Sequence, residues 1–519
     1  MRRLLKRWVN NMSKVTRTAG GNPAVMEGYQ GWWTKLAGHL GAVYPFYDTG
    51  TPDFCSLDIG ELLDRRVAQG EPVELDPIAV ACKVGLPYLL GNRTLVTGIE
   101  RAPWVEKPNG DGGWELMPLP EHRNRVPDQD EFVKEFVGTL QSELEGYIEG
   151  SSTVGILLSG GMDSRVVAGV LRKVQEQNPG GFDVVALTWG AAGSRDVVYA
   201  ERIAHQFGWA LEHFPISVET LRDNIDVAGR AGAEVSPLHL HAMPAISGLS
   251  GVDVILAGSY GDSVGRAEFS GVRVGDLKPI LPTNIDPFGL LKHSVKKMSG
   301  PGLLRDVRCS GHYRAENSLV RNCEIEQEMH YMRRMLQGCM LHIGREIPLC
   351  QMFTAPSVFG LMWQLAPEQR GDKWYGHILD ILPGRLLDIP WARTGARYLD
   401  ESAEGDRLPK SYHSYGEWLR NDLRGVIESR VNSDVIRGLG IFNEKGLDRS
   451  MNAWLKARTK GSNSLDEVMS WLASLYVFLE AYPVSSQLAE DNALADSISA
   501  LRGGVYGQLY VRARNYLRE

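Results

Sequence analysis

The stretch VGILLSGGMDSRVVAGVL, residues 154–171, decides how the chain folds and what it binds. An apolar run leads directly into Ser-Gly-Gly-Met-Asp-Ser, and a second apolar stretch follows. This order predicts a buried strand, a tight turn and a helix. Gly160 and Gly161 let the backbone bend sharply, so its N–H groups and the positive end of the new helix form a site for an anion. Ser159 and Ser164 add hydroxyl donors, which favours phosphate as that anion.

A carboxylate beside a phosphate site repels the ligand unless a cation lies between them. Asp163 therefore predicts a Mg²⁺ ion that bridges its carboxylate and the phosphate oxygens. The loop is not a Walker A motif, which has a lysine before the serine or threonine. The alternative is a purely structural turn in which Ser159 caps the helix. That alternative leaves Asp163 and Ser164 without a role.

Strand-like and helical segments alternate around this loop. TVGILLSGG, FDVVALTWG and GVDVILAGSYGD have the character of strands, whereas SRVVAGVLRKVQEQ and DVVYAERIAHQFG have helical periodicity. An amphipathic helix is also predicted just before them, within residues 126–150. The alternation predicts an α/β fold with a parallel sheet, whose ligands bind at the carboxyl ends of the strands. From about residue 300 onward the chain is predicted to be mostly helical.

The first 125 residues have a different pattern. Apolar clusters within residues 80–120 are interrupted by Gly-Asn, Asn-Gly-Asp-Gly-Gly and proline, which is typical of short strands and hairpin turns. We therefore predict a smaller β-rich domain over residues 1–125 and a second domain over residues 126–519, with the boundary near Arg125.

Composition excludes several classes of protein. The chain has 519 residues and a net charge of −7, which gives no general attraction to nucleic acids or acidic membranes. No apolar stretch reaches the roughly 20 residues that span a bilayer, and no signal peptide is evident. The six cysteines form no Cys-x-x-Cys pair, so reduced thiols and a cytoplasmic location are expected.

The loop at residues 159–164 resembles the SGGxDS loop of the N-type ATP pyrophosphatases, the PP-loop superfamily. More narrowly, the chain resembles the synthetase domain of the asparagine synthetase family. Three later stretches carry that resemblance: VVALTWGAAGSRDVVYAERIAHQFGWALEHFPI, VDVILAGSYGDSVGR and REIPLCQMFTAPSVFGLMWQLAPEQRGDKW. The resemblance extends over about residues 130–482 and implies a PP-loop α/β synthetase domain with a helical C-terminal part.

The resemblance implies a set of residues around ATP and Mg²⁺. The expected nucleotide contacts are Leu158, Ser159, Gly160, Gly161, Asp163, Ser164, Trp189 and Gly258. Leu158 and Trp189 correspond to adenine contacts, and the glycine loop corresponds to the site of the α- and β-phosphates. Asp163 and Asp262 are the expected Mg²⁺ ligands. A structural alternative for Asp262 is an Asx turn in SYGDS.

The implied reaction forms an amide at the expense of ATP. A substrate carboxylate attacks the α-phosphorus, pyrophosphate leaves, and ammonia or an amine then attacks the acyl-adenylate and expels AMP. The expected partners are a small-molecule or peptide carboxylate and an ammonia or amine donor, and neither a nucleic acid nor a membrane. A homo-oligomer and a separate ammonia-supplying partner are both left open.

The chain departs from the family pattern at its start. Glutamine-dependent members expose a cysteine nucleophile at the N-terminus, whereas this sequence begins Met-Arg-Arg and its first cysteine is Cys55. We interpret residues 1–125 as a degenerate glutaminase-like domain, as in β-lactam synthetase-type relatives, and expect no glutamine hydrolysis by this domain. The alternative is a simple structural cover over the synthetase core.

Two further departures concern the expected catalytic groups. The family has a glutamate after the strand glycine, where this chain has Ser259 and then Tyr260, which is either a proton acceptor for the amine or a packing residue. The family also has a late lysine, whereas DIPWARTGARY contains Arg393 and Arg397. Arg393 is the candidate for stabilising the transition state, and a surface ion pair is its alternative role. Lys373 and Lys410 are further candidates.

Three functions follow from these residues. The first is an ATP-dependent, AMP-forming amide synthetase that does not hydrolyse glutamine itself. The second is a catalytically reduced, ATP- and Mg²⁺-binding partner or regulatory subunit, which the missing glutamate and lysine favour. The third, an RNA-modifying enzyme of the same superfamily, is disfavoured by the absence of a cysteine pair and by the net negative charge.

Overall fold

A computed structural model describes residues 38–41, 44–109, 113–269, 279–308, 318–398, 400, 404–486 and 492–517. Its central element is a five-stranded parallel sheet in the order β10-β9-β6-β7-β8. The strands are β6 (Thr153–Leu157), β7 (Asp183–Trp189), β8 (Ala210–Phe214), β9 (Val254–Ala257) and β10 (Leu349–Gln351). The sheet confirms the predicted α/β fold class, and β10 was not predicted from sequence.

The central strand β6 is buried because helices cover both faces of the sheet. Val154 and Ile156 are fully buried, and β6 pairs in parallel with both β7 and β9. Burial on both faces explains why the strand is an uninterrupted apolar run rather than an alternating one. The parallel arrangement brings the carboxyl ends of β6, β7 and β9 to one edge of the sheet, where the predicted site residues lie.

Three helices that precede or connect these strands follow the predicted periodicity: α3 (Gln129–Ile148), α4 (Met162–Gln177) and α5 (Arg195–Phe207). Helix α3 begins at Asp128, whose side chain accepts from two backbone N–H groups of the first turn. Its apolar stripe is buried as predicted: Phe132, Val133, Phe136, Val137, Leu140, Leu144 and Ile148. Helices α6 (Val218–Arg230) and α7 (Met243–Ser247) lie between β8 and β9 in the chain.

The N-terminal region combines strands and helices. Its strands are β1 (Phe46–Asp48), β2 (Thr51–Ser56), β3 (Ile99–Arg101), β4 (Glu106–Pro108) and β5 (Trp114–Leu116). They form a three-stranded antiparallel sheet, β2-β1-β3, and a separate hairpin, β4-β5. Its helices are α1 (Ile59–Ala68) and α2 (Pro77–Gly85). The described part of this region is therefore of mixed composition and not predominantly β.

Helix α2 corrects the prediction of strands at the beginning of residues 80–120. The Asp76 side chain accepts hydrogen bonds from the N–H groups of Ile78 and Ala79, and Pro77 occupies the first helical turn. Both features favour a helix start. The six residues from Ala79 to Val84 are all buried, so the helix has no exposed polar face along this run. The spacing of apolar residues therefore could not identify this segment as a helix.

The remaining described helices belong mostly to the predicted helical C-terminal part. They are α8 (His293–Arg308), α9 (Leu319–Glu326), α10 (Gln337–Glu346), α11 (Pro356–Trp363), α12 (Asp372–Asp380), α13 (Tyr415–Arg420), α14 (Arg424–Val431), α15 (Asp434–Arg437), α16 (Glu444–Trp454), α17 (Ser464–Ala481) and α18 (Ala493–Leu517). A wider π-helical segment, Gln327–Leu336, joins α9 to α10. None of the helices in the described ranges has both the length and the apolar character that a bilayer crossing requires.

The described residues before Arg125 share their hydrophobic cores with the rest of the chain. Trp104 and Val105 belong to the cluster around the parallel sheet, whereas Leu62 and Val80 belong to the cluster built with the C-terminal helices. The domain boundary at Arg125 stays a prediction. The five described cysteines are free thiols, as expected, and Cys309 lies outside the described residues.

Candidate functional site

The predicted phosphate loop connects β6 to α4 as the sequence indicated. Ser159 Oγ lies 3.2 Å from Ser164 Oγ and accepts from the Gly161 N–H at 3.2 Å. The Ser164 hydroxyl in turn accepts from the Ser159 N–H at 3.3 Å. Gly161 is the N-cap of α4, and no side chain caps the first N–H groups of that helix. These hydroxyls and free helix-start amides form a set of donors that suits an anion.

Gly160 holds the loop against two other segments of the chain. A Cβ atom at this position would lie 2.6 Å from the Cβ of Ala392, so a larger residue would displace the loop. The Gly160 carbonyl accepts from the N–H of Ala392 and from the buried guanidinium of Arg165, both at 3.1 Å. The Gly160 N–H donates to the Asp196 carboxylate at 3.1 Å. The Gly160 N–H, which was expected to bind phosphate, is therefore hydrogen-bonded to a carboxylate of α5.

The turn after β9 packs directly on Asp163. A Cβ atom added to Gly258 would lie 2.7 Å from the Asp163 carbonyl carbon and from the Ser164 nitrogen. A Cβ atom added to Gly261 would lie 2.5 Å from Asp163 Oδ1. Only glycine permits this approach at both positions. The structure therefore brings together the two loops that the sequence had identified separately.

Asp163 is a strongly perturbed acid of this site. Its Oδ2 accepts from the Arg266 guanidinium at 3.2 Å, and its Oδ1 is buried with no hydrogen-bond partner among the described residues. Burial raises the pKa of the Asp163 carboxyl to about 7, while Arg266 opposes the shift and the charge of Asp262 adds to it. A buried carboxylate oxygen without a partner is a place where a cation is stabilising.

Arg266 was missed by the sequence reasoning. It also lies 3.5 Å from Asp372 and sits over the rings of Tyr375 and Trp391, at 5.5 and 6.0 Å from their centres. The Asp163 and Asp262 charges raise its pKa against the effect of burial. The available signal was its position only four residues after Asp262. Nothing in the sequence links Asp163 to residues 372–391.

Asp262 lies in the same acidic group as Asp163 and Glu268. Asp262 Oδ1 accepts from the N–H of Ser263 at 2.8 Å, which is the local turn contact considered as its alternative role. Burial raises the pKa of the half-buried Glu268 carboxyl, and the neighbouring Asp262 charge raises it further. Glu328, fully buried nearby, has a pKa raised well above the usual range, mainly by burial. Glu268 and Glu328 were not identified from sequence.

These acids fit a Mg²⁺ ion only when a ligand supplies further oxygens. Within the described ranges no group of three or more His, Cys, Asp or Glu side chains is arranged to hold a metal ion by itself. Mg²⁺ in phosphate-binding sites is commonly held by one or two carboxylates, with phosphate and water oxygens completing the octahedron. The unpartnered Asp163 Oδ1 and the nearby Asp262 meet that requirement.

The two expected adenine contacts differ in accessibility. Leu158 is fully buried in the core around the sheet, and its N–H donates to the Leu187 carbonyl at 2.8 Å. Trp189 ends β7, pairs with Phe214 and is partly exposed. The following Gly190 has a φ of 130°, and Tyr412 covers it so closely that a Cβ atom there would lie 2.9 Å from the tyrosine Cβ. Both predicted contacts lie at the same sheet edge as the loop.

The structure places Tyr260 in the core. Its side chain is 1% exposed and belongs to the hydrophobic cluster around the sheet. The backbone has a φ of 70°, which turns the residue away from the regular strand-to-loop path. Its hydroxyl is buried without a hydrogen-bond partner among the described residues, and burial raises its pKa well above 10. The packing role considered for Tyr260 matches this environment.

Arg393 lies at the rim of the site. Its neighbour Ala392 donates to Gly160, and the exposed guanidinium lies 5.4 Å from the centre of the Trp391 ring. Its charge also acts on Glu268. Arg397, in contrast, is exposed and paired with Asp388 at 2.6 Å, as in the surface ion pair considered as the alternative role of Arg393.

The two candidate lysines are both exposed. Lys410 follows Pro409, whose carbonyl accepts from the N–H of Arg195 at the start of α5. The adjacent Asp196 contacts the glycine loop, so Lys410 borders the site. Lys373 follows Asp372, the second partner of Arg266, and it too lies beside the site.

Comparison with protein families finds a match to part of the chain. The family model described as Asparagine synthase matches residues 140–268. This segment is about a quarter of the chain, and it contains the glycine loop, the turn after β9, Arg266 and Glu268. The match supports a relationship between this part of the chain and that family of synthetases. No curated protein matches the chain.

Two solved structures are similar over part of the chain. One is the U34-tRNA thiolase NcsA from Methanococcus maripaludis with its [4Fe-4S] cluster, with 18% identity, a TM-score of 0.22, and 31% of this chain covered. This chain spans 58% of the length of that thiolase. The other is the NMN synthetase from Francisella tularensis, with 16% identity and a TM-score of 0.22. That match covers 40% of this chain and 97% of the synthetase.

Proposed function

We propose that this chain is an ATP-dependent, AMP-forming amide synthetase with a PP-loop nucleotide site at the carboxyl edge of the parallel sheet. It activates a substrate carboxylate as an acyl-adenylate and transfers the acyl group to ammonia or an amine. The match of residues 140–268 to the Asparagine synthase model supports this reaction class.

One observation carries the proposal. The buried Asp163 oxygen without a partner lies at the start of α4, where the glycine loop meets Gly258 and Gly261 of the neighbouring strand's turn. Free helix-start amides and two serine hydroxyls lie beside it. A structural turn needs none of these features, whereas a phosphate group and its cation need all of them.

The residues divide into groups that bind charge of opposite sign. The α4 amides with Ser159 and Ser164 would bind the β-phosphate, and Arg393 or a neighbouring lysine would face the α-phosphate from the rim. Asp163 and Asp262 would hold Mg²⁺, which neutralises charge on the departing pyrophosphate. Asp196 would hold the loop in place through Gly160 until the nucleotide competes for that amide.

The chemistry requires positioning more than covalent catalysis. A carboxylate oxygen of the substrate attacks the α-phosphorus, and the bond from that phosphorus to the pyrophosphate oxygen breaks. The amine nitrogen then attacks the acyl carbon, AMP leaves, and the nitrogen loses a proton to a base or to water. Fixed donors around the phosphates stabilise the charge that develops in both steps.

The partners follow from the same reaction. We propose a small-molecule or peptide carboxylate and an amine or ammonia as substrates, and we assign no glutaminase chemistry to the N-terminal region. Cys55, the first cysteine of the chain, is buried, and burial raises the pKa of its thiol, which opposes the thiolate that a nucleophile requires. Ammonia would come from solution or from a separate protein.

A second function is favoured by one observation. Tyr260, the proton acceptor expected for the amine, is 1% exposed, and its hydroxyl is buried without a hydrogen-bond partner among the described residues. A nucleotide-binding partner or regulatory subunit, which binds ATP and Mg²⁺ without forming an amide, would have this arrangement.

Calorimetry with ATP and Mg²⁺ tests the nucleotide site first. We expect the wild type to bind and both Asp163→Asn and Asp262→Asn to lose about 100-fold in affinity, as expected for loss of a metal ligand or its charge. Asp183→Asn is the matched control, because Asp183 is exposed at the opposite end of β7 and should leave binding unchanged. Equal binding by all four proteins would contradict the site.

Isotope exchange between pyrophosphate and ATP separates the two functions. A synthetase exchanges label when a panel of carboxylates includes its substrate, because adenylate formation is reversible. AMP should then accumulate when an amine is added. Binding without exchange, across amino acids, peptides and sugar acids, would favour the regulatory subunit.

A further inference from the structure

The Arg266 guanidinium lies beside Asp163, at a point of the site where a cation is needed. It donates to Asp163 Oδ2 at 3.2 Å, and the arginine side chain is 13% exposed. Asp262 is near enough for its charge to act on both Asp163 and Glu268. Three carboxylates thus surround the guanidinium, and Arg266 supplies positive charge to them from within the chain.

Some donors of this guanidinium are not used by its present contacts. The Arg266 Nε is buried with no hydrogen-bond partner among the described residues. One terminal nitrogen lies 3.5 Å from Asp372 Oδ1, which is at the limit of a hydrogen bond. Asp372 begins α12, and its side chain is 42% exposed. Arg266 therefore keeps donors that the oxygens of a ligand can accept from.

A structural ion pair elsewhere in the chain is held more tightly. Arg420 donates to both carboxylate oxygens of the buried Asp466, at 2.5 and 2.7 Å, and also to the carbonyl of Thr459. Arg266 instead has one contact at 3.2 Å and one at 3.5 Å. The looser contacts indicate that Arg266 can exchange its partner at a smaller cost than Arg420.

The surroundings confine Asp163 more than they confine Arg266. A Cβ atom at Gly261 would lie 2.5 Å from Asp163 Oδ1, and the Gly261 carbonyl accepts from the buried Tyr375 hydroxyl at 2.7 Å. The Arg266 guanidinium lies 5.5 Å from the centre of the Tyr375 ring and 6.0 Å from that of Trp391. Ring faces attract a guanidinium without requiring one fixed direction. Arg266 can therefore shift over these faces while Asp163 stays in place.

We propose that Arg266 competes with the divalent cation for Asp163, and that it moves to a phosphate oxygen when the nucleotide arrives with its metal ion. This inference rests on the proposed function, because it takes ATP and Mg²⁺ as the ligands. Without nucleotide, the guanidinium engages Asp163 and its charge opposes the binding of a metal ion alone. With nucleotide, its planar donors face phosphate oxygens and the carboxylate is left for the metal ion.

Manganese binding without nucleotide tests the first half of the proposal. Mn²⁺ is the probe, and the electron paramagnetic resonance signal of the unbound ion measures its affinity for the full chain. Arg266→Gln should bind Mn²⁺ at least about 10-fold more tightly than the wild type, because the competing charge is gone. Arg266→Lys keeps a positive charge and should change the affinity less. Arg172→Gln is the matched control, because Arg172 pairs with Glu176 near the end of α4 and should leave Mn²⁺ binding unchanged.

Calorimetry with ATP and Mg²⁺ tests the second half, and the expected effect has the opposite sign. Arg266→Gln should bind the nucleotide about 10-fold more weakly, because a charged contact with phosphate is lost. An arginine that never leaves Asp163 has no such contact. Its removal would leave nucleotide affinity unchanged or raise it, and either result would contradict the exchange of partners.

The metal measurement also separates this proposal from the synthetase function. It uses no ATP, so a raised Mn²⁺ affinity of Arg266→Gln supports the competition even if the wild type fails to bind nucleotide. Equal Mn²⁺ affinities in a wild type that does bind ATP and Mg²⁺ would overturn the role of Arg266 and leave the proposed function standing.

A double variant locates the metal ion. Asp163→Asn combined with Arg266→Gln should lose the raised Mn²⁺ affinity, and its persistence would overturn the proposal because the ion would then bind elsewhere. Circular dichroism verifies that each variant is folded. Arg266→Met replaces Arg266→Gln if the latter unfolds, since its apolar side chain fits between two aromatic rings and it should give the same rise in Mn²⁺ affinity.

Discussion

Two buried groups of charged side chains in this molecule contrast in how completely their hydrogen bonds are satisfied. We call them the Glu234 cluster (Lys83, Arg101, Arg333, Arg334 and Glu234) and the Asp163 cluster (Asp163, Asp262, Arg266 and Glu268). In the first, Glu234 accepts from two arginines, and the cations also donate to main-chain carbonyls of the N-terminal region. In the second, Asp163 Oδ1 has no partner among the described residues.

This difference indicates that the Glu234 cluster stabilises the fold, whereas the Asp163 cluster is suited to binding a ligand. Arg101 of β3 and Arg334 of the π-helical segment Gln327–Leu336 both pair with the carboxylate of Glu234, which lies in the loop after α6. That cluster therefore has its countercharges within the described chain. The Asp163 cluster carries more negative charge than Arg266 neutralises. A buried polar atom without a partner costs stability, so its presence is best explained by function.

The largest expected effect comes from breaking the Glu234 cluster. Glu234→Gln leaves Arg101 and Arg334 buried without a countercharge and should lower the free energy of unfolding by about 3–5 kcal/mol. Urea unfolding followed by circular dichroism measures it. Glu135→Gln is the control, because the exposed Arg125–Glu135 pair contributes at most about 1 kcal/mol. A loss below about 1 kcal/mol for Glu234→Gln would remove the contrast between the two clusters.

Lys83 should make stability depend on pH. It is 3% exposed and donates to the carbonyls of Pro87 and Glu234, and burial lowers its pKa from 10.5 to about 8. The unfolded chain therefore binds this proton more tightly than the folded chain between pH 8 and 10.5. The contribution of Lys83 to stability rises with pH across that window, by about 3 kcal/mol in all.

Comparison with Lys83→Met isolates this contribution from other groups. The difference in unfolding free energy between the wild type and the variant should grow in favour of the wild type from pH 8 to 10.5. Equilibrium denaturation at four pH values in that range provides the measurement. Parallel pH profiles of the two proteins would show that Lys83 keeps its ordinary pKa.

Gly261→Ala should lower both stability and nucleotide binding, because Gly261 packs directly against Asp163. The added Cβ would lie 2.5 Å from Asp163 Oδ1, so the turn after β9 has to move away from the glycine loop. We expect a loss of about 1–3 kcal/mol of stability and a loss of nucleotide binding together. Gly138→Ala on α3, where no atom lies within 4 Å of the added Cβ, should leave nucleotide binding unchanged and raise stability by about 0.5–1 kcal/mol, since alanine is favoured over glycine inside a helix.

The smallest effect on stability is expected at Asp163 itself. Because burial raises its pKa to about 7, the neutral side chain of Asp163→Asn resembles a form that is already populated at neutral pH. The unfolding free energy at pH 7 should change by less than about 1 kcal/mol, although nucleotide binding falls steeply. A large loss of stability together with unchanged binding would make Asp163 a structural residue like Glu234.

The sequence predicted the elements whose signals are local. The apolar period of α3 identified all seven of its buried apolar residues, and the order of apolar run, glycines and helix located β6, the loop and α4. Helix α2 was missed because apolar residues occupy all its sides, and a short apolar run fits a strand as well as a buried helix. Strand β10 is only three residues long, too short for a period to be detected.

The site was predicted where its residues follow from the order of strands in the parallel sheet. Asp163, Gly258 and Asp262 come together because their strands are neighbours in a parallel sheet, and that follows from the alternating pattern. The pairing of Asp163 with Arg266 spans 103 positions and depends on how the turn after β9 folds. The inward direction of Tyr260 follows from a left-handed backbone angle that no sequence pattern showed.

One buried side chain, that of Arg165, connects the glycine loop to residues 386–390, which are far from it in sequence. The Arg165 guanidinium, 0% exposed, donates to the carbonyls of Gly160, Leu386, Ile389 and Pro390. Arg165 therefore connects the bend at Gly160 to the segment just before Arg393, and it fixes the position of the one relative to the other. Sequence changes in residues 386–390 would alter the shape of the nucleotide loop without touching it, and variants with shifted ATP affinity should be sought there as well as in the loop.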